Sequence, residues 1–332
     1  MRFLLISDTH GQLGIINELV NIAQADAVIH AGDFGFYDES SYERLSEREL
    51  RLHITHSDLT IEDKERIQAL PQSARIAATR QECPLSEFPL YLSGEESFDV
   101  PVYAVWGNHE DKEIVEKIFH GDIQVKNLHV LHHRVAYRVG PVLIYGIGGN
   151  FLKGSRLLQR PIAGGAGKIW STLRQYSDLI ETIEKEPDNL GVRICVSHVS
   201  PGKEPFLELV AARTRADFTV SGHMGAPTCM IWNPFAISSV EEAMRRLQHG
   251  LEQARKESLG DSRSNSEWAD EVFSFIGRIP KDMVHIGRGK KAPRWYREMT
   301  HINLPDAPAG YAVMDVEGTS TAIQTSTSPL TA

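Results

Sequence analysis

Short apolar runs alternate along this chain with helically spaced stretches and polar breaks. Phe3 to Ile6 is an apolar run of strand length. Leu13, Ile16, Leu19, Val20 and Ala23 then repeat at the three-and-four spacing of one helix face, which predicts a helix over about 13–25. Ala27 to His30 is a second strand. Strand, helix, strand is how a parallel sheet opens. Val102 to Val105 reads as another strand. Leu128 to Leu131, Arg134 to Val139 and Val142 to Ile147 follow with short breaks and suggest an antiparallel meander, turning once at Gly140-Pro141. Arg193 to Val196 and Phe218 to Val220 are further short strands. Gly310 to Asp315 and Thr321 to Gln324 predict a closing hairpin about Glu317-Gly318.

Two stretches break this rhythm. Residues about 36–100 are polar and helical in character, with charged runs at Glu43 to Arg51 and Glu62 to Arg66. Residues about 227–298 hold two helical segments, Val240 to Glu257 and Glu267 to Ile276, separated by the polar loop Gly260 to Asn265. Both read as helical insertions, mostly solvated, into one domain spanning 1–332. Both also lie between strand ends that carry chemistry, so their edges can reach a site formed there.

Composition narrows the class only a little. The chain has 332 residues, 41% hydrophobic, enough for one large core or two small ones. A net charge of −9 argues against nucleic-acid binding through the whole surface and leaves a local basic cleft open. Three cysteines, Cys83, Cys195 and Cys229, form no C-x-x-C pair, which points to a reducing compartment without a disulfide framework. Only four apolar residues follow Met1-Arg2, too few for a signal-peptide core, and no run reaches membrane-spanning length. The expectation is a cytoplasmic protein with no membrane partner.

The chemistry sits at the strand ends. Asp8-Thr9-His10-Gly11, Gly32-Asp33, Gly107-Asn108-His109-Glu110, Ser197-His198 and Gly222-His223 each follow an apolar run. Together they supply carboxylates, imidazoles and one amide, a set that suits manganese, iron or zinc better than calcium or magnesium alone. A dinuclear hydrolytic site needs one ligand shared by two cations, terminal ligands on each, and open positions for water and substrate. Asp33 is the best candidate bridge because a carboxylate has two oxygens. Asp8 and His10, two apart just past a strand, are expected to point the same way. Asn108 offers a neutral oxygen, and His109 beside it places an acid next to a ligand. Glu110 is then expected to hold that imidazole in one tautomer.

In this order the motifs closely resemble the calcineurin-like metallophosphoesterase superfamily, whose pattern is D-x-H, G-D, G-N-H-[DE], H, G-H-x-H. The resemblance covers essentially the whole chain outside the two insertions and extends to Ile302-Asn303 and Gly310 to Asp315 as closing strands. It implies a four-layer α/β/β/α sandwich of two packed mixed β-sheets flanked by helices. It implies two divalent metal ions, one held by Asp8, His10 and Asp33, the other by Asp33, Asn108, His198 and His223. His109 becomes the general acid or a transition-state donor, and the reaction is in-line attack on a phosphoester by a metal-bound hydroxide. One departure matters: the last motif reads Gly222-His223-Met224-Gly225, so glycine stands where the family has a ligand of the first metal. That position is expected to be weak unless another residue completes it. His301 and Cys229 are candidates, with packing the plainer reading of each.

Weaker features bear on substrate. Gly164 to Lys168 invites a phosphate-loop reading, but Ile162 and Ile169 break the required pattern. Arg288, Lys290, Lys291, Arg294 and Arg297 surround Trp295 and Tyr296, an arrangement that can hold phosphates and stack bases, though most charge runs are solvated faces. Gly148 to Gly154, Trp170 and Leu173 to Tyr176 show a faint similarity to the RNA lariat-debranching branch. The expected function is therefore a phosphodiesterase acting on a nucleotide or on RNA- or DNA-like substrates. The alternatives are a phosphomonoesterase or phosphoprotein phosphatase, and a non-catalytic interaction module on the same fold.

Overall fold

The computed structural model describes residues 1–332 apart from 188–190, 226, 234–238, 261–265, 279–296 and 328–332. The chain opens with β1 (Arg2–Ile6), α1 (Gly14–Ala23) and β2 (Ala27–His30), the two strands parallel as the pattern predicts. Five helices precede the next strand: α2 (Ser41–Arg44), α3 (Glu47–His56), α4 (Ile61–Ala69), α5 (Gln72–Glu82) and α6 (Phe88–Ser93). The first four bury a small core of their own around Tyr42, Leu50, Ile54 and Ile67. Then come β3 (Val102–Ala104), α7 (Lys112–His120), β4 (Leu128–Val130), β5 (Ala136–Val139) and β6 (Val142–Ile147). A hairpin of β7 (Ala163–Gly165) and β8 (Lys168–Trp170) leads to α8 (Leu173–Glu184), β9 (Val192–Ser197), α9 (Pro205–Arg213) and β10 (Phe218–Ser221). The rest is β11 (Met230–Trp232), α10 (Val240–Leu259), α11 (Ser266–Ile276), β12 (Thr300–Asn303), β13 (Gly310–Glu317) and β14 (Ser320–Thr327).

Two six-stranded mixed sheets result, ordered β14-β13-β1-β2-β3-β4 and β11-β12-β10-β9-β6-β5. Successive side chains of a strand point to opposite faces, and here both faces are covered. Phe3, Leu5 and Ile29 of the first sheet share one buried cluster with Ile144, Ile194 and Val220 of the second, so the sheets pack face to face. Leu4, Ile6 and Val28 turn the other way, onto Leu19 and Val20 of α1. Tyr145 and Cys195 of the second sheet turn onto Leu179, Leu209, Leu247 and Phe273 of α8 to α11. Helix, sheet, sheet, helix are the four expected layers. Burial on both faces is also why the strands read as unbroken apolar runs rather than as alternation.

Only half of the expected meander is there, the antiparallel pair that turns at Gly140-Pro141. β4 belongs to the first sheet and pairs parallel with β3, Val102 facing Leu128, while β5 and β6 pair antiparallel in the second. α7 makes the crossover that a parallel pair requires, and residues 131–135 carry the chain from one sheet to the other. Apolar runs of similar length and spacing cannot say which sheet each joins. The second polar stretch also contributes strand β11, antiparallel to β12, beside its two helices. Among the described residues no helix is long and apolar enough to cross a membrane.

Candidate metal centre

Every motif leaves its strand at the same end of the two sheets, and the loops are cross-bonded there. The Asp8 N–H donates to Gly32 O at 2.8 Å and the His10 N–H to Asp33 O at 2.8 Å. Asp8, His10, Asp33 and His223 all have left-handed backbone, φ 54°, 47°, 49° and 54°. Only nine described non-glycine residues do so, and four of them are expected metal ligands. Such conformations cost of order 1–3 kcal/mol each and persist where the surroundings impose them, which is typical of functional sites. They also correct one expectation: Asp8 and His10 converge through a turn rather than through the alternation of an extended strand. The motif glycines allow the approach. A Cβ on Gly107 would lie 1.9 Å from Asp33 Oδ1, and one on Gly222 would lie 2.3 Å from Asp8 Oδ2.

The expected ligand atoms fall into two groups that share one residue. Donor atoms of Asp8, His10 and Asp33 lie within 4.8 Å of one another, as do those of Asp33, His198 and His223. Asn108 Oδ1 is 2.7 Å from His198 Nε2, and the His198 and His223 ring centroids are 4.9 Å apart. The other five residues are thus gathered around Asp33. His301 and Cys229 are not among them: His301 Nδ1 is 2.6 Å from Thr219 Oγ1 and its ring packs on Trp232, while Cys229 packs against the inter-sheet core.

Does this donor set suit a cation? His198 Nδ1 lies 2.9 Å from the Ala31 carbonyl, which only accepts, so Nδ1 carries the hydrogen. Nε2 faces Asn108 Oδ1 at 2.7 Å and Asp33 Oδ1 at 3.5 Å. These buried polar atoms are satisfied either by a proton on Nε2 or by a cation set among them. Burial raises Asp8, whereas for Asp33 the charges of His198, His10 and His109 outweigh burial and hold it well below the usual range. His223 is lowered to about 4, first by burial and then by His198, which leaves it neutral and able to ligate at neutral pH. The residues fit a divalent pair.

Glu110 is placed differently from the expectation. It does not hold His109. Its carboxylate accepts from the N–H groups of Phe34, Gly35, Phe36 and Gly107, at 2.7, 3.1, 2.6 and 3.2 Å. Burial and then the charge of Asp33 push it up to about 8 against those four donors. It ties the loop after β2 to the loop after β3, because a left-handed turn at Asp33 aims consecutive N–H groups inward, where the nearest acceptor is Glu110. The partner of His109 is Glu49 on α3, with Oε2 2.7 Å from Nδ1. Burial disfavours the His109 cation, but the Glu49 hydrogen bond and the charges of Asp33 and Glu49 outweigh it, so the pKa is raised.

A cavity of about 970 Å³ opens onto this cluster. Asp8, His10, Asp33, His109 and His223 form its floor, and the first helical stretch forms one wall through Leu52, His56 and Leu59. Lys203 stands at the rim and donates to the His223 carbonyl. Tyr37, Glu49 and Lys203 were not singled out by the sequence. None stands in a motif, and polar residues in polar stretches carry no mark of which side chain turns inward. Of the basic-aromatic cluster, residues 288–296 lie outside the described residues, and Arg297 is exposed.

The family model for calcineurin-like phosphoesterases matches residues 1–227. No curated protein matches the chain. Among solved structures, a dimetal phosphatase from Danio rerio is similar at 9% identity, with 98% of each chain covered and a TM-score of 0.40. A Thermus thermophilus sulfate thiohydrolase, SoxB, in complex with glycerol is similar at 12% identity, covering 98% of this chain and 56% of that one, with a TM-score of 0.36.

Proposed function

The chain belongs to the calcineurin-like phosphoesterase family, and we propose that within it this protein is a phosphodiesterase for small, nucleotide-sized diesters. The observation that carries a metal-dependent hydrolysis is the pair of donor groups that share Asp33, one with Asp8 and His10 and one with His198 and His223, at an open cavity lined by Asp33, His223 and His109. Bound there, two divalent cations would supply Lewis acidity and an acidified water.

The chain's own residues do the rest. Asp8, His10 and Asp33 would hold one cation, and Asp33, Asn108, His198 and His223 the other. Lys203 offsets charge on a non-bridging phosphoryl oxygen. His109, with Nδ1 engaged by Glu49, has only Nε2 free to face the cavity, and from there it gives a proton to the departing oxygen. Tyr37 is raised well above 10 by burial and then by Glu110, so it stays a neutral phenol and offers a hydrogen-bond donor.

Charge favours a diester. Beyond the proposed metals, Lys203 is the one lysine or arginine among the described residues lining the cavity, while Glu18, Asp58, Glu87 and Asp306 stand around its rim. A monoester dianion needs more compensating cations than a diester monoanion. An acidic rim also repels a polyanion, so a long nucleic acid fits less well than a single nucleotide diester. The test is hydrolysis of bis(p-nitrophenyl) phosphate beside p-nitrophenyl phosphate, with and without added Mn²⁺. A kcat/KM at least about tenfold higher for the diester is expected, a difference of roughly 1.4 kcal/mol in transition-state stabilisation. Preference for the monoester would favour a phosphatase, and no metal-dependent turnover of either would favour an interaction module.

A further inference from the structure

We infer that Glu49, braced by Lys168, is the positioning residue for His109, supplied by an insertion helix and a glycine-rich hairpin rather than by any of the five motif loops. This rests on the reading of His109 as the proton donor. Glu49 Oε2 is 2.7 Å from His109 Nδ1 and Glu49 Oε1 is 3.1 Å from Lys168 Nζ, with the Glu49 side chain only 4% exposed. A buried carboxylate between a histidine and a lysine fixes both its own rotamer and the ring it holds. It also requires hydrogen on Nδ1, which sets the tautomer and leaves Nε2 for the cavity.

The local sequence shows how the carboxylate is freed for this task. Ser46-Glu47-Arg48-Glu49 has the S-x-x-E spacing of a capping box, in which the glutamate normally reaches back to the serine N–H. Half of that box forms here: the Ser46 side chain accepts from the Glu49 N–H at 3.2 Å. The other half is displaced. The Ser46 N–H donates instead to Ala166 O, in the turn of the β7–β8 hairpin, at 3.2 Å. With that donor satisfied, the Glu49 side chain turns to His109.

The hairpin turn lies very close to α3. A Cβ on Gly167, at φ +87°, would sit 2.3 Å from a Leu45 methyl and 3.1 Å from Glu49 Cγ. The same hairpin reaches the ligand loop, since the Ile169 N–H donates to Asn108 O at 3.0 Å. Asn108 and His109 are therefore bracketed, backbone on one side by β8 and ring on the other by α3. Gly167, in a run that fails as a phosphate loop, serves this close approach.

Two readouts test the inference. In Zn²⁺-loaded protein with ¹⁵N-labelled histidine, the His109 ring signals, assigned by their loss in His109→Gln, are expected to show hydrogen on Nδ1. Glu49→Gln, which keeps size, is expected to shift those signals and to lower kcat about 10–100-fold with KM within about twofold. The loss should be larger for alkyl than for nitrophenyl leaving groups, and Glu49→Asp should recover part of it. Lys168→Met, which leaves α3 intact, is expected to move both readouts the same way by less, and it decides the matter should Glu49→Gln fail to fold. A wild-type His109 ring with hydrogen on Nε2 alone, or variant signals and leaving-group dependence identical to wild type, would overturn the positioning role. Absence of turnover in the wild type would instead count against the hydrolase reading, and the ring signals would still decide this one.

Discussion

The five motif loops and the helical stretch from α2 to α6 meet at one cavity but are built in opposite ways. The loops are short, buried and strained, and four of the proposed ligand residues they carry are held at positive φ. Of the helices, α3 and α4 are polar and capped by the usual means, with Ser46 and Thr60 side chains accepting first-turn N–H groups. The loops concentrate charge that burial opposes. The helical stretch contributes one buried carboxylate, Glu49, and much of the cavity wall. The difference suggests a division of labour: the loops hold the reacting centre, and the helices aim its proton donor and limit what enters.

The sharpest way to break that division is at Asp33. Asp33→Asn is expected to abolish hydrolysis and to release metal from both positions, because a carboxamide has no charge and one good donor oxygen. Metal content after gel filtration and turnover with excess Mn²⁺ check it. Near-normal values for both would remove Asp33 from the shared position.

His109→Ala should separate aim from binding. Metals are expected to stay, while kcat falls by about 10²–10⁴-fold, more for poor leaving groups. An equal loss across a series of phenols would mean that His109 contacts a non-leaving oxygen.

A third prediction concerns the scaffold that carries both regions. His133 is fully buried, neither ring nitrogen has a hydrogen-bond partner, and burial followed by Arg134 lowers it to about 4. Unfolded, it would titrate near 6.5. Between those values the unfolded chain binds the extra proton, so stability is full above about 6.5 and falls as pH drops toward 4. Wild type should lose roughly 2 kcal/mol more than His133→Phe between pH 7 and 5, measured by urea unfolding. Parallel losses would mean that His133 does not titrate in this window.

Metal occupancy should differ between the two positions. The donor group of Asp8, His10 and Asp33 lacks the imidazole that Gly225 replaces, whereas Asn108 stands beside the donors of the other. Purified protein is expected to hold fewer than two metals and to gain activity with Mn²⁺. An added Cβ at Gly225 meets nothing within 4 Å, but φ is +62°, so Gly225→His should raise occupancy only modestly. Full, equal occupancy would show that another residue completes the first position.

The smallest effect belongs to the rim. Glu18→Gln with Asp306→Asn should lower KM for a dinucleotide a few-fold at low salt, and little at high salt. No change at low salt would remove charge exclusion from the account.

How far the sequence could be read follows the same division. Asp8, His10, Asp33, Asn108, His198 and His223 stood out because each follows an apolar run with a glycine or serine at a fixed offset. Those offsets reflect real constraints, as the space occupied by a Cβ at Gly107 and Gly222 demonstrates. The layers were legible because strands buried on both faces leave continuous apolar runs. The sheet to which β4 belongs was not, since pairing is decided by α7 and the inter-sheet core. Glu49 was invisible for a related reason. Its spacing from Ser46 marks an ordinary helix start, and only the hairpin turn at Ala166, 120 residues on from Ser46 in sequence number, turns it inward. The expectation that Glu110 holds His109 failed because adjacency in a motif says nothing about where four inward N–H groups lie.

The central claim, that two cations share Asp33 at the meeting of these loops, is tested most directly by anomalous diffraction from crystals of the Mn²⁺-loaded protein. The account predicts two peaks about 3.5–4 Å apart on either side of the Asp33 carboxylate, one beside Asp8 and His10, the other beside Asn108, His198 and His223, with the first the weaker. A single peak, or two peaks that do not share Asp33, would contradict it.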